Sequence, residues 1–366
     1  MNWVNELEPG LWKFINKMQE DDFSFFRYSK TGDIYKKDYN WGLANCVFAV
    51  RILYITGLIE NLTEIQRENI YNGIIRNTKT QGYIYDTLIT KLSMAERLRW
   101  YYGLVKNRNS FNTIEMELKK TRRAETRQSF AALHCLNKKP VSPFKDIPNS
   151  KSQIENYLND LDWTKPWSAG SHFNHLLFFL RWNAKFFNND IIKSNKRLIS
   201  HAVDWINKIQ NQKNGCWYMD NNIPLFQKIN GAMKILNGFY VAGIEDIKNA
   251  KGLIDTGLSA INDEDACSNF NLIYVLYSAN KIEKDYRFDE IHKFFMDRLN
   301  VYKKFYWSEH GGFSFFQRSA NDTFYGKKIT YGLEEPDIHG TAMFVWGISV
   351  IDKILDLDLG WTIPLN

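Results

Sequence analysis

An aspartate and a histidine lie two residues apart at the start of a long apolar segment, in the sequence Pro-Asp-Ile-His at 336–339. Asp337 follows a proline and precedes apolar residues, which is typical of a helix N-cap whose carboxylate accepts hydrogen bonds from the first turn. The alternative is a proton donor. In that case Asp337 faces a cavity with His339 as its partner, and Glu334 or Glu335 raises the pKa of Asp337 by like-charge repulsion. The sequence leaves both interpretations open.

Two histidines, His172 and His175, are three residues apart, so they share one face of a helix that begins near Ser168. Asn174 lies between them, and Trp167 precedes the helix. In the structural interpretation, the helix is capped and has one buried and one exposed histidine. In the functional interpretation, the two imidazoles and the amide act on a bound substrate. The sequence offers no third ligand beside them for a metal ion.

Five basic residues fall within the ten positions 119–128, and Arg123 and Arg127 are one helical turn apart. Such a run is usually a solvated helix face. The alternative is that one end of this helix points into a cavity. There, Arg123 and Arg127 would bind a phosphate, a diphosphate or a uronate by forked hydrogen bonds.

Apolar residues recur mostly at helical spacing, so long helices must position these side chains. Capping and turn residues predict helices near 10–19, 39–57, 63–77, 86–105, 111–120, 124–137, 151–160, 168–183, 192–211, 227–242, 245–260, 264–280, 287–302 and 337–354. Their alternation corresponds to six or seven helical hairpins.

A repeat connects the early and late parts of this pattern, because Phe-Ser-Phe-Phe at 23–26 recurs at 313–316. A weaker copy, Asn-Gly-Cys-Trp, lies at 214–217. A helix, a Gly-aromatic turn and a second helix therefore form a recurring unit, and such units bury one another in an array. Because the outermost copies match and the spacing between copies is irregular, we expect a closed all-α ring. The predicted fold is an (α/α)6 or (α/α)7 toroid that forms one domain over residues 1–366.

Length and composition exclude several classes of protein. Of 366 residues, 15% are aromatic, 8 are Pro and 21 are Gly, which excludes collagen-like and low-complexity chains. The net charge of +6 is spread thinly, which gives weak support for an anionic ligand and argues against nucleic acid as a partner. The four cysteines show no paired spacing, and we find neither a secretory signal nor a long uncharged apolar stretch. We expect a soluble, cytoplasmic protein without disulfides; the sequence does not specify its oligomeric state.

The last copy of the repeat resembles the last repeat of protein prenyltransferase β subunits. In that family a Gly-Gly turn is followed by an aspartate, a His-Thr pair and a Leu-Ser-Gly-Leu-Ser helix. Gly-Gly at 311–312, Asp337, Thr341 and Gly-Ile-Ser at 347–349 fall in step with this pattern. The resemblance implies an α/α toroid that handles an isoprenoid substrate.

The same stretch is similar to the Asp-x-Asp-Asp-Thr-Ala acid motif of class II terpene cyclases, which share the α/α toroid. Asp337, Thr341 and Ala342 match that motif, and the two middle carboxylate positions hold His339 and Gly340. A further alternative is therefore a non-catalytic binding protein, which has the toroid scaffold but lacks the acid motif.

Two further resemblances concern cofactors and substrates. Asp265-Ala-Cys267 looks like the Asp-x-Cys zinc element of protein prenyltransferases, which implies a zinc site with His339 as a third ligand. The alternative is that Asp265 caps a helix and Cys267 is buried, and no cofactor is firmly implied. The set of His172, His175, an asparagine and tryptophans is similar to that of toroidal polysaccharide lyases. There an amide neutralises a sugar carboxylate while His or Tyr removes the adjacent proton.

The leading hypothesis is an isoprenoid-handling enzyme with an aromatic cavity, since aromatic faces stabilise carbocations. Asp337 would be its acid, with Arg127 as an anion contact and a wall that includes Trp41, Trp167 and Trp346. The alternative is a carbohydrate-active toroid, a lyase or hydrolase that acts through His172, Asn174, His175 and Arg127. We find no Gly-x-Ser-x-Gly, His-Glu-x-x-His or phosphate-binding glycine-rich motif.

Overall fold

Helices make up most of the secondary structure, as the sequence predicts. The computed structural model describes residues 2–36, 40–92, 94, 97–98, 101–103, 112–187, 192–220 and 222–365. The helices are α1 (Asn2–Asn5), α2 (Leu7–Met18), α3 (Leu43–Ile55), α4 (Glu64–Ile75), α5 (Thr87–Thr90), α6 (Asn112–Cys135), α7 (Lys151–Asn159), α8 (Pro166–Phe187), α9 (Ile192–Asn207), α10 (Leu225–Ala242), α11 (Ala250–Leu258), α12 (Ala266–Asn280), α13 (Phe288–Lys303) and α14 (Ile338–Leu355). Short 3-10 helices span Leu58–Asn61 and Thr80–Gly82.

Six central helices follow one another as neighbours in space. α3 packs against α6, α6 against α8, α8 against α10, α10 against α12, α12 against α14, and α14 against α3. α3 and α14 are apolar over nearly their whole circumference and are buried almost throughout, which is typical of core helices. α4, α9, α11 and α13 pack against α3, α8, α12 and α14 respectively and carry exposed polar faces.

Each copy of the repeat forms a short antiparallel turn between two helices. β1 (Gln19–Glu20) pairs with β2 (Phe25–Phe26) between α2 and α3, and β3 (Tyr306–Trp307) pairs with β4 (Gly312–Phe313) between α13 and α14. The weaker copy contains a single bridge between Gln210 and Trp217, between α9 and α10. A helix, a short turn and a second helix thus occur at all three places, and the turn contains glycine in the second and third copies but not in the first.

The segment before α3 and the segment before α14 lie side by side. Ser29 and Asp337 form a β-bridge, and the amide of Ile338 donates to the carbonyl of Tyr28 at 2.9 Å. A third two-stranded turn, β5 (Thr323–Phe324) with β6 (Lys327–Lys328), precedes α14. The segments that follow the first and last copies of the repeat are therefore in direct contact.

Several predicted helix boundaries were wrong. The break expected between 120 and 124 is absent, and α6 continues from Asn112 to Cys135. The helix expected from residue 245 begins at Ala250 because Asn249 caps it. The helix predicted at 86–105 lies partly outside the described residues.

The sequence predicts no membrane-spanning segment, but α14 is long and apolar enough to cross a membrane. At 18 residues, it is the one such helix among the described residues. Within the structure, 78% of this window is buried, as in the core helix of a folded domain.

Two buried carboxyl groups, Asp86 and Glu125, connect α3 to α6. Oδ2 of Asp86 accepts hydrogen bonds from the amides of Gly42 and Leu43, at 3.0 and 2.9 Å, at the start of α3. The amide of Asp86 donates to Oε2 of Glu125 at 2.8 Å. Burial raises the pKa of Asp86 to about 7 and that of Glu125 well above its usual range, and the charge of Asp86 raises the pKa of Glu125 further.

Because the pKa values of Asp86 and Glu125 are raised, we expect the protein to lose stability as the pH rises. Because both groups bind a proton more tightly in the folded than in the unfolded chain, their stabilising contribution is complete at low pH and is lost as the pH rises toward about 7 and above. The Glu125→Gln variant keeps the oxygen acceptor without the charge. We expect it to exceed the parent in free energy of unfolding by roughly 1–3 kcal/mol at about pH 8, with little difference at about pH 5.

Urea unfolding at a series of pH values measures this effect. Asp204→Asn, on the exposed side of α9, is the matched control and should follow the parent. Parallel pH curves for the parent and Glu125→Gln would contradict the prediction.

Candidate functional site

A cavity of about 1000 Å³ lies where the six central helices face one another, and each of them contributes side chains to its wall. The aromatic side chains include Phe48, Trp167, Phe315, Phe324, Tyr325 and Trp346. The basic side chains are Arg51, Lys120, Arg127, Lys165 and Lys234. The amides include Gln128, Asn174, Asn237, Asn271 and Asn321. The carboxylates among the described lining residues are Glu117 and Asp265.

The cavity lies at the N-terminal ends of several central helices. The lining residues of α8, α12 and α14 all fall in the first half of each helix, such as Cys267 on α12 and His339 on α14. The positive ends of these helix dipoles therefore point toward the cavity and favour negative charge there.

Arg127 is a buried cation without a counter-charge among the described residues. Arg127 is 7% exposed, and its Nε and Nη1 atoms have no hydrogen-bond partner in the described part of the chain. The guanidinium lies 5.9 Å from the centre of the Phe178 ring. Burial lowers the pKa of Arg127 to about 10, because the charged form loses its hydration. Such a group can bind an anion that enters the cavity.

Two more basic side chains share this space. The Arg51 guanidinium lies 5.1 Å from the Trp346 ring and 5.6 Å from the Phe48 ring. Burial, together with the charge of Arg127, lowers the pKa of Arg51 to about 9 and that of Lys234 to about 8.

The two carboxylates in the wall are already engaged. Glu117 forms an ion pair with Lys120. Asp265 caps α12, where its Oδ1 accepts from the amide of Ser268 at 2.8 Å and its Oδ2 from the hydroxyl of Ser268 at 2.9 Å. Neither Glu117 nor Asp265 therefore pairs with Arg127 or Lys234 in the described wall.

Asn174 and His175 present unsatisfied polar atoms beside these cations. Both residues are buried and line the cavity, and neither Oδ1 of Asn174 nor Nδ1 of His175 has a partner among the described residues. Burial and the charge of Arg127 hold the pKa of His175 well below its usual range. Its imidazole is therefore neutral and can accept a proton.

The other two predicted members of these clusters lie outside the cavity wall. Nδ1 of His172 is 2.9 Å from the hydroxyl of Tyr157, and both predicted histidines are buried, so the expected exposed histidine is absent. Arg123 donates to the Tyr157 hydroxyl at 3.1 Å and pairs with Oδ2 of Asp146 at 3.2 Å. Of the predicted arginine pair, only Arg127 faces the cavity.

Asp337 is the N-cap of α14. Its Oδ1 accepts from the amide of Gly340 at 2.7 Å, and its Oδ2 accepts from the amides of Phe315 and Asn321 at 2.7 and 3.2 Å. It is not among the residues that line the cavity. Burial raises its pKa to about 7. A Cβ atom on Gly340 would lie 2.4 Å from the amide nitrogen of Phe315, so this close packing requires a glycine.

Glu335 also makes structural hydrogen bonds. Its carboxylate accepts from the amide and hydroxyl of Thr31 and from the amide of Gly32, at 2.7 to 3.0 Å. It therefore holds the segment before α3 against the segment before α14.

His339 and Cys267 meet at the cavity wall, but Asp265 does not complete a metal site with them. Nε2 of His339 lies 3.8 Å from Sγ of Cys267, and its Nδ1 lies 2.9 Å from the Tyr28 hydroxyl. Burial lowers the pKa of His339 to about 3 and raises that of Cys267 to about 12. No group of three or more His, Cys, Asp or Glu side chains among the described residues is arranged to hold a metal ion.

Two of the three tryptophans predicted to line the cavity do so, and the third lies in the core. Trp167 and Trp346 line the cavity. Trp41 is 1% exposed and is not among the described lining residues; it packs behind the wall, near Tyr28 and the lining residue Phe324.

The sequence interpretation missed three cavity-lining residues whose side chains could bind a ligand or take part in a reaction. Arg51 and Lys234 are lone charges in the apolar stretches of α3 and α10, and that contrast was the available signal. Tyr325 lies in the turn between β5 and β6, where local sequence gives no such indication. Its hydroxyl accepts from Nε2 of Gln128 at 3.2 Å, and burial raises its pKa above the usual range.

Neither a family model, nor a curated protein, nor a solved structure matches this chain.

Proposed function

We propose that the closed succession of central helices is an (α/α)6 toroid and that its cavity binds an acidic oligosaccharide, which it cleaves by β-elimination. The observation that carries this proposal is the buried guanidinium of Arg127, which has no ion-pair partner among the described residues and lies in the same cavity as Asn174 and His175. A uronate supplies the carboxylate that this guanidinium lacks, and the aromatic wall offers faces on which sugar rings stack.

Arg127 and Asn174 bind the uronate carboxylate in this proposal. The guanidinium donates paired hydrogen bonds to it, and the amide of Asn174 donates another. Both interactions withdraw negative charge from the carboxylate, which makes the hydrogen on the adjacent carbon, C5, more acidic. Because Arg127 and the helix dipoles are in place before binding, little reorganisation is needed.

His175 is the proposed base. Its imidazole is neutral, and the charge of Arg127 is one of the causes that lower its pKa. A bound carboxylate compensates that charge, so the pKa of His175 rises toward its usual value once the substrate is present. The base is thus strengthened by the substrate that it deprotonates.

Tyr325 is the proposed acid. Its raised pKa keeps the hydroxyl protonated, and Arg127 lies close enough for its charge to oppose this shift. In the reaction, His175 takes the C5 proton, the C4–C5 double bond forms, and the C4–O bond breaks. The leaving oxygen takes its proton from Tyr325, and proton exchange with water restores both side chains.

An isoprenoid substrate is the second candidate, favoured by the aromatic wall together with three cations suited to a diphosphate. In the isoprenoid candidate Asp337 is the proton donor, and Asp337 would have to donate its proton while it caps α14. We therefore rank the isoprenoid substrate below the acidic oligosaccharide.

The test is to incubate the protein with alginate, polygalacturonate and chondroitin and to follow the ultraviolet absorbance of the unsaturated uronate product. We expect product from one of these polymers, and we expect Arg127→Gln to lose at least about 10²-fold in kcat/KM. Arg123→Gln, one turn earlier and outside the cavity, is the matched control and should lose stability rather than activity. Absence of product from all three polymers, together with a melting shift on adding a prenyl diphosphate, would favour the isoprenoid candidate.

A further inference from the structure

Asn237 is a buried amide in the cavity wall that has no role in the step proposed above. It lies on α10, lines the cavity and is 1% exposed. Its Oδ1 has no hydrogen-bond partner among the described residues, and its Nδ2 donates no hydrogen bond to them. Both the acceptor and the donor of this side chain are therefore available to a ligand.

The packing of α8 against α10 brings Asn237 next to Asn174. Glycines let the two helices approach closely, since a Cβ atom on Gly231 of α10 would lie 2.7 Å from Cβ of Pro166 in the first turn of α8. Further along α10, a Cβ atom on Gly238 would lie 3.2 Å from Cα of Asn174. The two helices therefore run in the same direction, and Asn237 is adjacent to their contact at Asn174.

A carboxylate does not satisfy both of these amides. Its oxygens only accept hydrogen bonds, so it can bind Arg127 and Nδ2 of Asn174 but not the Oδ1 atom of either asparagine. Oδ1 of Asn174, like that of Asn237, has no partner among the described residues. A buried acceptor that is left without a donor is unfavourable when the ligand displaces water. The ligand therefore needs hydrogen-bond donors as well as its carboxylate.

Sugar hydroxyls match these amides better than other donors do. Each hydroxyl both donates and accepts, so two hydroxyls on adjacent carbons can engage Oδ1 and Nδ2 of Asn237 together. An ammonium group also donates, but the positive charge of Arg127 in the same cavity opposes it. A fully ionised diphosphate only accepts, so it leaves both Oδ1 atoms unsatisfied.

We propose that Asn237 and Oδ1 of Asn174 form a hydroxyl subsite, which selects a uronate with free hydroxyls on neighbouring ring carbons. This inference rests on the proposed function for the uronate at Arg127, and on the two amides for the hydroxyls. Asn237 is thus a specificity-determining residue. A polymer in which these hydroxyls are esterified with acetate or sulfate lacks the donors and is a poor ligand.

Calorimetric titration with matched ring acids tests the subsite. The methyl glycosides of galacturonate and glucuronate carry ring hydroxyls, and tetrahydropyran-2-carboxylate has the same ring and carboxylate without them. We expect at least one glycoside to bind the parent at least about 5-fold more tightly than the hydroxyl-free acid, the effect of two neutral hydrogen bonds. The subsite is overturned if neither glycoside binds more tightly than the hydroxyl-free acid, or if none of the three binds.

The Asn237→Leu variant has no polar side-chain atoms, so it should lose this preference while it keeps binding of the hydroxyl-free acid. Asn237→Ala is a second variant with the same expected loss, in case leucine prevents folding. Asn45→Leu is the matched control, because Asn45 is also buried with an unpartnered Oδ1 but is not among the described lining residues. It loses the hydrogen bond from Nδ2 to the carbonyl of Phe26 and should lower stability while it retains the preference. An unchanged preference in the Asn237 variants would overturn the subsite.

These titrations are independent of catalysis, which separates this inference from the proposed function. If the preference depends on Asn237 but alginate, polygalacturonate and chondroitin give no unsaturated product, the hydroxyl subsite stands and the β-elimination fails. If product forms while the preference is absent or does not depend on Asn237, the proposed function stands and the hydroxyl subsite is overturned.

Discussion

Replacing His175 by glutamine should lower the rate of the proposed β-elimination by about 10²–10⁴-fold, the usual effect of removing a general base. Glutamine retains the volume and polarity of the side chain but cannot take up the proton from the sugar. His175 makes no hydrogen bond through Nδ1 to the described residues, so its loss should change the melting temperature little. Because the proposed contacts of Arg127 and Asn174 with the substrate carboxylate remain, we expect the loss in kcat and little change in substrate affinity.

His172→Gln is the matched control, since His172 lies three residues earlier on the same helix. It breaks the contact with the Tyr157 hydroxyl and should lower stability while it leaves kcat per folded molecule near that of the parent. The proposal of His175 as the base fails if the two variants are equally active, or if the loss in His175→Gln follows the loss of folded protein.

Replacing Asp337 by alanine should destabilise the fold by about 3–7 kcal/mol. Loss of an N-cap costs about 1 kcal/mol, and each buried amide left without an acceptor costs about 1–3 kcal/mol more. Here the amides of Phe315 and Asn321 lose their acceptor along with that of Gly340. The loop that carries Phe315 into the cavity wall is held by this carboxylate, so the wall is expected to loosen as well.

Denaturant unfolding of Asp337→Ala and Asp337→Asn measures this effect, and activity per folded molecule is measured beside it. Asparagine keeps one oxygen acceptor, so its loss should be smaller than that of alanine. An Asp337→Asn variant with parental stability and no activity would instead support Asp337 as a proton donor. Glu334→Gln, an exposed neighbour, should change neither quantity.

Much of the helical framework could be predicted from the sequence, because apolar periodicity and capping residues are local signals. The matching Phe-Ser-Phe-Phe segments correctly indicated equivalent turns, and Asp265 was correctly weighed as a cap. The break placed between 120 and 124 was wrong because the polar run there interrupts the apolar pattern. In the folded chain Arg122 and Arg123 pair with Glu115 and Asp146, so the helix continues without an apolar face.

The composition of the site was harder to predict, because it depends on which face of each helix turns inward. Arg123 and Arg127 are one turn apart, yet one is satisfied by Asp146 and the other is not. His172 and His175 differ in the same way, because Nδ1 of His172 contacts the Tyr157 hydroxyl and Nδ1 of His175 has no partner among the described residues. The lone charges Arg51 and Lys234 are informative only when several helices are known to share one cavity, and that is a property of the tertiary fold.

The contact between the segments before α3 and α14 has a consequence for how the chain folds. The Tyr28 hydroxyl and Nδ1 of His339 are 2.9 Å apart in space and 311 residues apart in sequence. Each hairpin can form early from neighbouring residues, but this junction requires a very long loop to close, at an entropic cost that grows with the logarithm of its length. We therefore expect formation of this junction to be a late and slow event in folding. The wall that contains His339 and Phe315 would then be completed only at that final stage.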